Sequence, residues 1–346
     1  MSSRLFHMDG VRMSLGVDPQ DQVSTETMVD AVPVASTKEH GKSPSRIAFD
    51  RLRKDRMAII CACVVLFFVL VAVLAPLLCA LEGQNYSDFH TELVDEFGFP
   101  TIGPNADHWF GVEPKTGRDL FAQWTYGARP SLVIAIVAAI TSSVVGVVLG
   151  LTAGFLSGWV DRVISWVIDF VLSLPYLLVA IAAVPIVVQV AGGVNALTPQ
   201  DNADIRFFVL IGVLVFFGWA SLARLIRGEV ISLREREFVA AARVIGVPTR
   251  RVLFKELLPN LVAPIVISLS LALPAYIVAE AGLTFLGVGL IEPTPSWGQM
   301  IAKATTYYQA DPLYLWLPVV GVSALTLALS WLGDSVRDAF DPKTRR

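Results

Sequence analysis

Six long apolar stretches, separated by polar or charged segments, set the pattern of this chain. They run from Met57 to Leu81, Ser131 to about Leu156, Val163 to about Val190, Phe207 to about Ile226, Leu261 to Leu283 and Leu315 to about Leu332. A helix needs about 20 mostly apolar residues to cross roughly 30 Å of hydrocarbon, so the pattern predicts an all-α integral membrane protein with six transmembrane helices. The first stretch begins too far from Met1 to be the apolar core of a signal peptide. Residues 1–45 are polar, show no apolar period and predict a disordered cytoplasmic tail. Residues 46–82 hold the N-terminal flank and first span, 83–130 an extracytoplasmic segment, and 131–342 the remaining transmembrane core with a cytoplasmic loop over 228–260.

Orientation follows from the cations. Lys42, Arg46, Arg51, Arg53, Lys54 and Arg56 flank the first span, and Arg162 follows the second. Arg224, Arg227, Arg234, Arg236, Arg243, Arg250, Arg251 and Lys255 cluster around the loop after the fourth, and Arg337, Lys343, Arg345 and Arg346 follow the sixth. Lys115, Arg118, Arg129, Arg206 and Lys303 fall on the other side. The asymmetry places both termini in the cytoplasm. Composition agrees: 54% of residues are hydrophobic and only 16% charged, which leaves too little polar surface for an ordinary cytosolic enzyme or a coiled coil. Cys61, Cys63 and Cys79 are too few for a secreted disulfide scaffold. A net charge of −3 gives no pull toward nucleic acid.

Gly146, Gly150, Gly154 and Gly158 recur every fourth residue in the second span and line one stripe where another helix can approach closely. Pro175 and Pro185 lie in the third span, Pro264 and Pro274 in the fifth, where each bends the axis either as simple shape or beside a conduction path. Asp169 and Glu280 are acids inside spans without an evident basic partner at the same depth. Each reads either as an interfacial carboxylate satisfied by a neighbouring helix or as a polar point on a translocation route. The histidines, His7, His40, His90 and His108, lie outside the spans, and nothing resembles a metal-ligand set. Gly41-Lys42-Ser43 matches the end of a phosphate-binding loop, but Ser36 stands where its first glycine belongs, so the chain itself is expected to bind no nucleotide.

The most informative segment is Gly228–Asn260. Good helix formers predict a helix over about Glu229–Val244, capped by Gly246, and a second from about Thr249 to Leu258 that opens after Pro248 and stops at Pro259. Phe238, Val239, Ala242 and Ile245 form an apolar face at helical spacing that suggests docking to a protein. Four acids, Glu229, Glu235, Glu237 and Glu256, offset its cations and argue against a DNA-binding helix–turn–helix.

This segment resembles the "EAA" loop of binding-protein-dependent ABC importer permeases: the small pair Ala241-Ala242, then Gly246, then Leu258-Pro259. LREREFVAAAR at 233–243 and LLPN at 257–260 are similar to the C-type permease subunits of dipeptide, oligopeptide and nickel importers. So are GRDLFAQWTYGARPSL at 117–132, AEAGLTFLGVG at 279–289, PTPSWG at 293–298 and LGDSVRDAFDP at 332–342. Three departures stand out: Ala240 replaces the acid that opens the loop motif, with Glu237 one turn earlier; EPKTGRD is unusual; the N-terminal tail is long.

The resemblance implies a type I ABC importer permease fold in the cytoplasmic membrane and transport of di- or oligopeptides. Nickel, glutathione-like or haem-related cargo are the alternatives in the same fold. It implies a homologous second permease subunit, two ATP-binding subunits that supply ATP and Mg, an extracytoplasmic substrate-binding protein, and no catalytic site in this chain. The ATPase-coupling residues would be Glu237, Phe238, Ala241, Ala242, Arg243, Gly246, Leu258 and Pro259. Asp169, Pro175, Pro274 and Glu280 are the candidates for the pathway. Outer acids Glu82, Asp88, Glu92, Asp95, Glu96 and Asp107 either meet the delivering protein or are simply solvated. An ion-driven carrier, the rival, would need paired carboxylates, His or unwound glycine-rich helices at the midplane; a non-conducting membrane subunit is a third reading.

Overall fold

The computed structural model describes residues 44–193, 196–309 and 311–341. The tail up to position 43, with His7, His40 and Gly41-Lys42-Ser43, lies outside them, as do Pro342, Lys343, Arg345 and Arg346. The described residues form helices α1 (Pro44–Leu52), α2 (Arg56–Glu82), α3 (Leu120–Leu156), α4 (Gly158–Ser173), α5 (Tyr176–Val190), α6 (Pro199–Leu233), α7 (Glu237–Val244), α8 (Thr249–Arg251), α9 (Val262–Phe285), α10 (Trp297–Ala304) and α11 (Pro312–Phe340). Five of these, α2, α3, α6, α9 with its approach from Thr249, and α11, are each long and apolar enough to cross a membrane.

The third expected span is instead two helices bent at 87°. Leu174 takes the extended backbone required before a proline, and Pro175, which lacks an N–H, precedes the start of α5 rather than lying inside a helix. Ile168 and Val171 of α4 pack on Trp219, Ala220 and Ala223 of α6, whereas Ala180 of α5 packs on Leu210, Val213 and Leu214. The two halves thus pack on successive parts of α6. Large apolar side chains such as Ile60, Phe67, Val73, Trp166 and Phe208 remain exposed on the helices, as expected where lipid is the solvent.

α3 and α6 form the central seam, and the glycine stripe explains how closely they meet. A Cβ on Gly146 would lie 2.8 Å from the Trp219 carbonyl oxygen, one on Gly150 2.7 Å from that of Ala223, and one on Gly154 2.7 Å from Val230 Cβ. Gly158 departs from the stripe: it has φ +70°, meets nothing, and opens α4 just after the break from α3 at Ser157, whose φ is also positive at 52°. α3 also begins at Leu120, so the outer segment ends well before residue 130. Asp119 caps it, accepting from Ala122 N at 2.7 Å. Pro76 in α2 leaves the Ala72 carbonyl without its helical donor, and Arg129 of α3 donates to that oxygen at 2.6 Å.

On the opposite side of α3, the PTPSWG segment forms a knot. Ser296 caps α10, fully buried Trp297 donates through Nε1 to the Trp124 carbonyl at 2.9 Å, and Gly298 lets α10 close on the Ala281 carbonyl. Phe68, Ile277, Tyr314 and Leu325 complete that core from α2, α9 and α11.

Candidate functional site

The loop after the fourth span is an elbow fixed rigidly to the bundle. α6 runs on to Leu233, so Glu229–Leu233 continue the membrane helix instead of opening the loop helix. Its lower end is tied to α4 and α3: Arg224 meets Asp169 at 2.6 Å, Arg227 forks onto both oxygens of Asp161 at 2.5 and 2.9 Å, and Arg234 donates to the Gly154 carbonyl at 3.1 Å. α7 then ends at Gly246, whose φ of +75° permits the reversal in which Val247 N donates to Ala242 O at 3.0 Å. Arg243 rests on the Phe155 ring, 4.8 Å from its centroid.

Beyond α8 the chain does not stop at Pro259. Val252–Leu257 widen into a π-helical turn, and Leu258–Leu261 tighten into a 3₁₀ turn that feeds α9, making one helical run from Thr249 to Phe285. The irregular turns absorb the N–H that Pro259 lacks, and the Asn260 side-chain amide donates to the Glu256 carbonyl at 2.6 Å.

The expected single apolar face of α7 divides in two. Val239 and Ala242 turn inward and bury with Val252, Leu257 and Leu261 against Leu151, Ile226 and Val230. Phe238 (40% exposed), Val244 (86%) and Ile245 (77%) point outward with Phe254. Glu237, Ala241, Arg243, Gly246 and Pro259 are exposed, and Leu258 is half-buried. An eight-residue helix that is apolar on two sides thus both packs onto its own chain and presents a surface with nothing on it. Glu237 sits in its first turn, where a carboxylate suits the helix dipole.

Two of the pathway candidates have partners within the chain. Asp169 has a basic partner after all, Arg224, and both side chains are mostly exposed. Glu280 has no exposed surface; it accepts from Ser131 of α3 at 2.6 Å and from Thr284 at 3.0 Å, and Thr284 in turn accepts from Leu290 N. Hydroxyl donors satisfy the carboxyl within the chain, and through Ser131 the Glu280 side chain ties α9 to α3. Pro175 is exposed at the α4–α5 bend, and Pro274 is buried within α9.

The open membrane-depth feature is one the apolar pattern did not reveal. A groove of about 440 Å³ lies between α3, α6 and α9, lined by Ser142, Ser143, Gly218, Ser221, Ser268 and Tyr276 among aliphatic side chains. Ser142 and Tyr276 lie near the middle of α3 and α9, and their hydroxyls are 3.0 Å apart. The adjacent pair Ser142-Ser143 in an otherwise apolar run was the signal available in the sequence.

The outer face is held by an ionic network. Buried Glu113 accepts from Tyr314 at 3.2 Å and from Thr116, and lies 3.6 Å from Lys303 and 3.8 Å from Arg118. Glu292 pairs with Arg118 at 2.9 Å and with Lys303. Burial alone would raise the Glu292 carboxyl, but these two cations hold it down to about 2. Of the acids expected to be available outside, Glu82 accepts from Trp109 N at 2.7 Å and Asp95 from Phe97 N and Phe99 N, so both fold the segment.

Comparison with known proteins bears on both surfaces. Residues 146–346 match a family described as the binding-protein-dependent transport system inner membrane component, and residues 43–92 match the N-terminal TM domain of oligopeptide transport permease C. Among curated proteins, the dipeptide transport system permease protein DppC of Alkalihalophilus pseudofirmus is 35% identical over 303 residues, covering 88% of this chain and 91% of that protein. The glutathione transport system permease protein GsiD of Salmonella typhimurium is 32% identical, with 92% and 97% covered. The oligopeptide transport system permease protein OppC of Bacillus subtilis is 31% identical, with 86% and 88% covered. A solved structure of the MetNI methionine ABC transporter, in an inward-facing conformation, superposes with a TM-score of 0.50 at 16% identity, covering 63% of this chain and 96% of that one. At that identity the likeness is one of fold.

Proposed function

Because the chain belongs to the family of binding-protein-dependent transport system inner membrane components, we propose that it is the permease subunit of an ABC importer for short peptides. It forms half of a membrane passage that alternates between outward and inward access, and hydrolyses nothing itself. ATP and Mg act in two separate ATP-binding subunits, one of which seats on the elbow. The observation that carries this reading is the two-sided α7: Val239 and Ala242 are locked into the bundle while Phe238, Val244 and Ile245 stand free at the cytoplasmic tip. A force applied to that tip is delivered directly to α6 and α9. The names of the relatives support peptide cargo, and GsiD supports a second reading, glutathione, which is itself a small peptide. A second permease subunit is supported by the span from Thr249 to Phe285, which buries only 17% of its most apolar stretch within its own chain, the least of the five. An extracytoplasmic binding protein would deliver cargo to the outer face.

Co-purification and uptake test the proposal together. The tagged chain is expected to bring down an ATPase and a second permease, and the reconstituted complex to accumulate labelled di- and tripeptides only with ATP. A chain that purifies alone and transports with an ion gradient defeats it.

A further inference from the structure

We infer that the Ser142–Tyr276 hydroxyl pair is the point at which the groove between α3, α6 and α9 hydrogen-bonds the main-chain amide of a passing peptide. The inference rests on the peptide-importer reading and adds the residues and the chemical group they recognise. The groove carries five hydroxyls, from Ser142, Ser143, Ser221, Ser268 and Tyr276, and no charged side chain among its described lining residues. Its remaining walls are Leu222, Leu225, Leu271, Ala272, Ala275 and Gly218. A free ammonium or carboxylate of a cargo would find no counter-charge here, and the aliphatic walls offer no pattern that selects one side chain over another. A peptide bond, by contrast, presents one N–H and one C=O, and a hydroxyl both donates and accepts. Ser142 donates to the Ala139 carbonyl at 3.2 Å, so across the 3.0 Å gap Tyr276 is the donor and Ser142 the acceptor. When the Tyr276 head swings away from Ser142, an amide can accept from the tyrosine hydroxyl and donate to the serine oxygen, so both hydroxyls keep a partner in a setting where an unmade hydrogen bond is costly.

Gly218 fixes where this happens. A Cβ at that position would overlap the Tyr276 hydroxyl and would lie 3.2 Å from Ser142 Cβ. The missing side chain therefore forms the notch in which the tyrosine head meets the serine. Pro274, two residues earlier on α9, and the Glu280 lock, one turn later, hold that part of the helix in register with α3. The volume of about 440 Å³ falls within the range of pockets that admit small ligands.

The test compares labelled trialanine with trialanine methylated at its peptide nitrogens, which removes the donor and keeps the backbone. Uptake is measured in proteoliposomes holding the complete complex with saturating binding protein and ATP. Any discrimination by the binding protein is common to wild type and variants and cancels in their ratio. Tyr276→Phe keeps the ring and Ser142→Ala keeps the backbone; each is expected to slow trialanine uptake and to shrink the preference for it over the methylated peptide by about fivefold. Gly218→Ala is expected to push Tyr276 out of the notch and to reproduce the loss of preference. Peptide-stimulated ATP hydrolysis reports that the variants assemble. An unchanged preference in both Tyr276→Phe and Ser142→Ala overturns the inference while leaving the importer reading intact. Failure of the wild-type complex to take up either peptide overturns the importer reading, and this inference with it.

Discussion

Ile245→Ala should weaken the grip of an ATP-binding subunit without weakening the fold. Ile245 is 77% exposed on the elbow, so truncating it removes almost nothing the chain itself has buried. Full burial of an isoleucine side chain contributes about 1.5–3 kcal/mol. A partner that covers the exposed three-quarters recovers about 1–2 kcal/mol, which corresponds to about a 5- to 30-fold change in dissociation constant. The thermal midpoint of the chain alone should move little, since an exposed truncation changes stability by about 0.5 kcal/mol or less. Val239→Ala, six residues earlier within α7 and fully buried, should do the reverse: about 2 kcal/mol of fold stability lost through the missing methyls and the cavity they leave. The assay pairs ATPase titration onto detergent-solubilised permease with a melting curve for each variant. Equal affinity for wild type and Ile245→Ala would falsify the assignment of the outward tip as the docking surface.

At the α3–α6 seam, Gly150→Ala must displace the Ala223 carbonyl and Ile226, and is expected to lower stability by about 1–3 kcal/mol; melting of the purified chain reads it. Gly158→Ala meets no neighbour and is expected to cost only the strain of its positive φ, about 1 kcal/mol; a larger loss than for Gly150→Ala would contradict the close-approach account. Glu292 makes the outer latch acid-sensitive. Its folded value near 2 lies below the ordinary 4.5, so its ion pairs contribute fully above about pH 4.5 and are lost as pH falls toward 2. Tryptophan fluorescence of the outer face should show a transition between about pH 4.5 and 2 that Glu292→Gln removes.

The spans were legible because a membrane imposes one length and one polarity on every crossing, and the Gly146–Gly150–Gly154 stripe because four-residue spacing has a single meaning on a helix. The bend at Leu174-Pro175 was not legible: the stretch from Val163 to Val190 is mostly apolar on both sides of it, and proline alone does not tell a kink from a break. Which of Phe238, Val239, Ala242 and Ile245 face inward depends on where Leu151 and Leu257 arrive, information carried by distant parts of the chain. Pro259 reads as a stop by local rules, yet the π and 3₁₀ turns let tertiary packing carry the helix through. The serine groove escaped notice for a similar reason. Apart from the adjacent Ser142-Ser143, each hydroxyl stands alone between apolar neighbours, and only the assembly of three helices gathers them in one place.

The helical run from Thr249 to Phe285 has 37 residues and therefore measures roughly 55 Å along its axis. Its foot lies beside the cytoplasmic knuckle and its upper half carries Tyr276, with no loop between them. If a partner seats on that knuckle as proposed, a twist at the base would reach Tyr276 along a continuous helix, through the irregular turns at Val252–Leu257 and Leu258–Leu261.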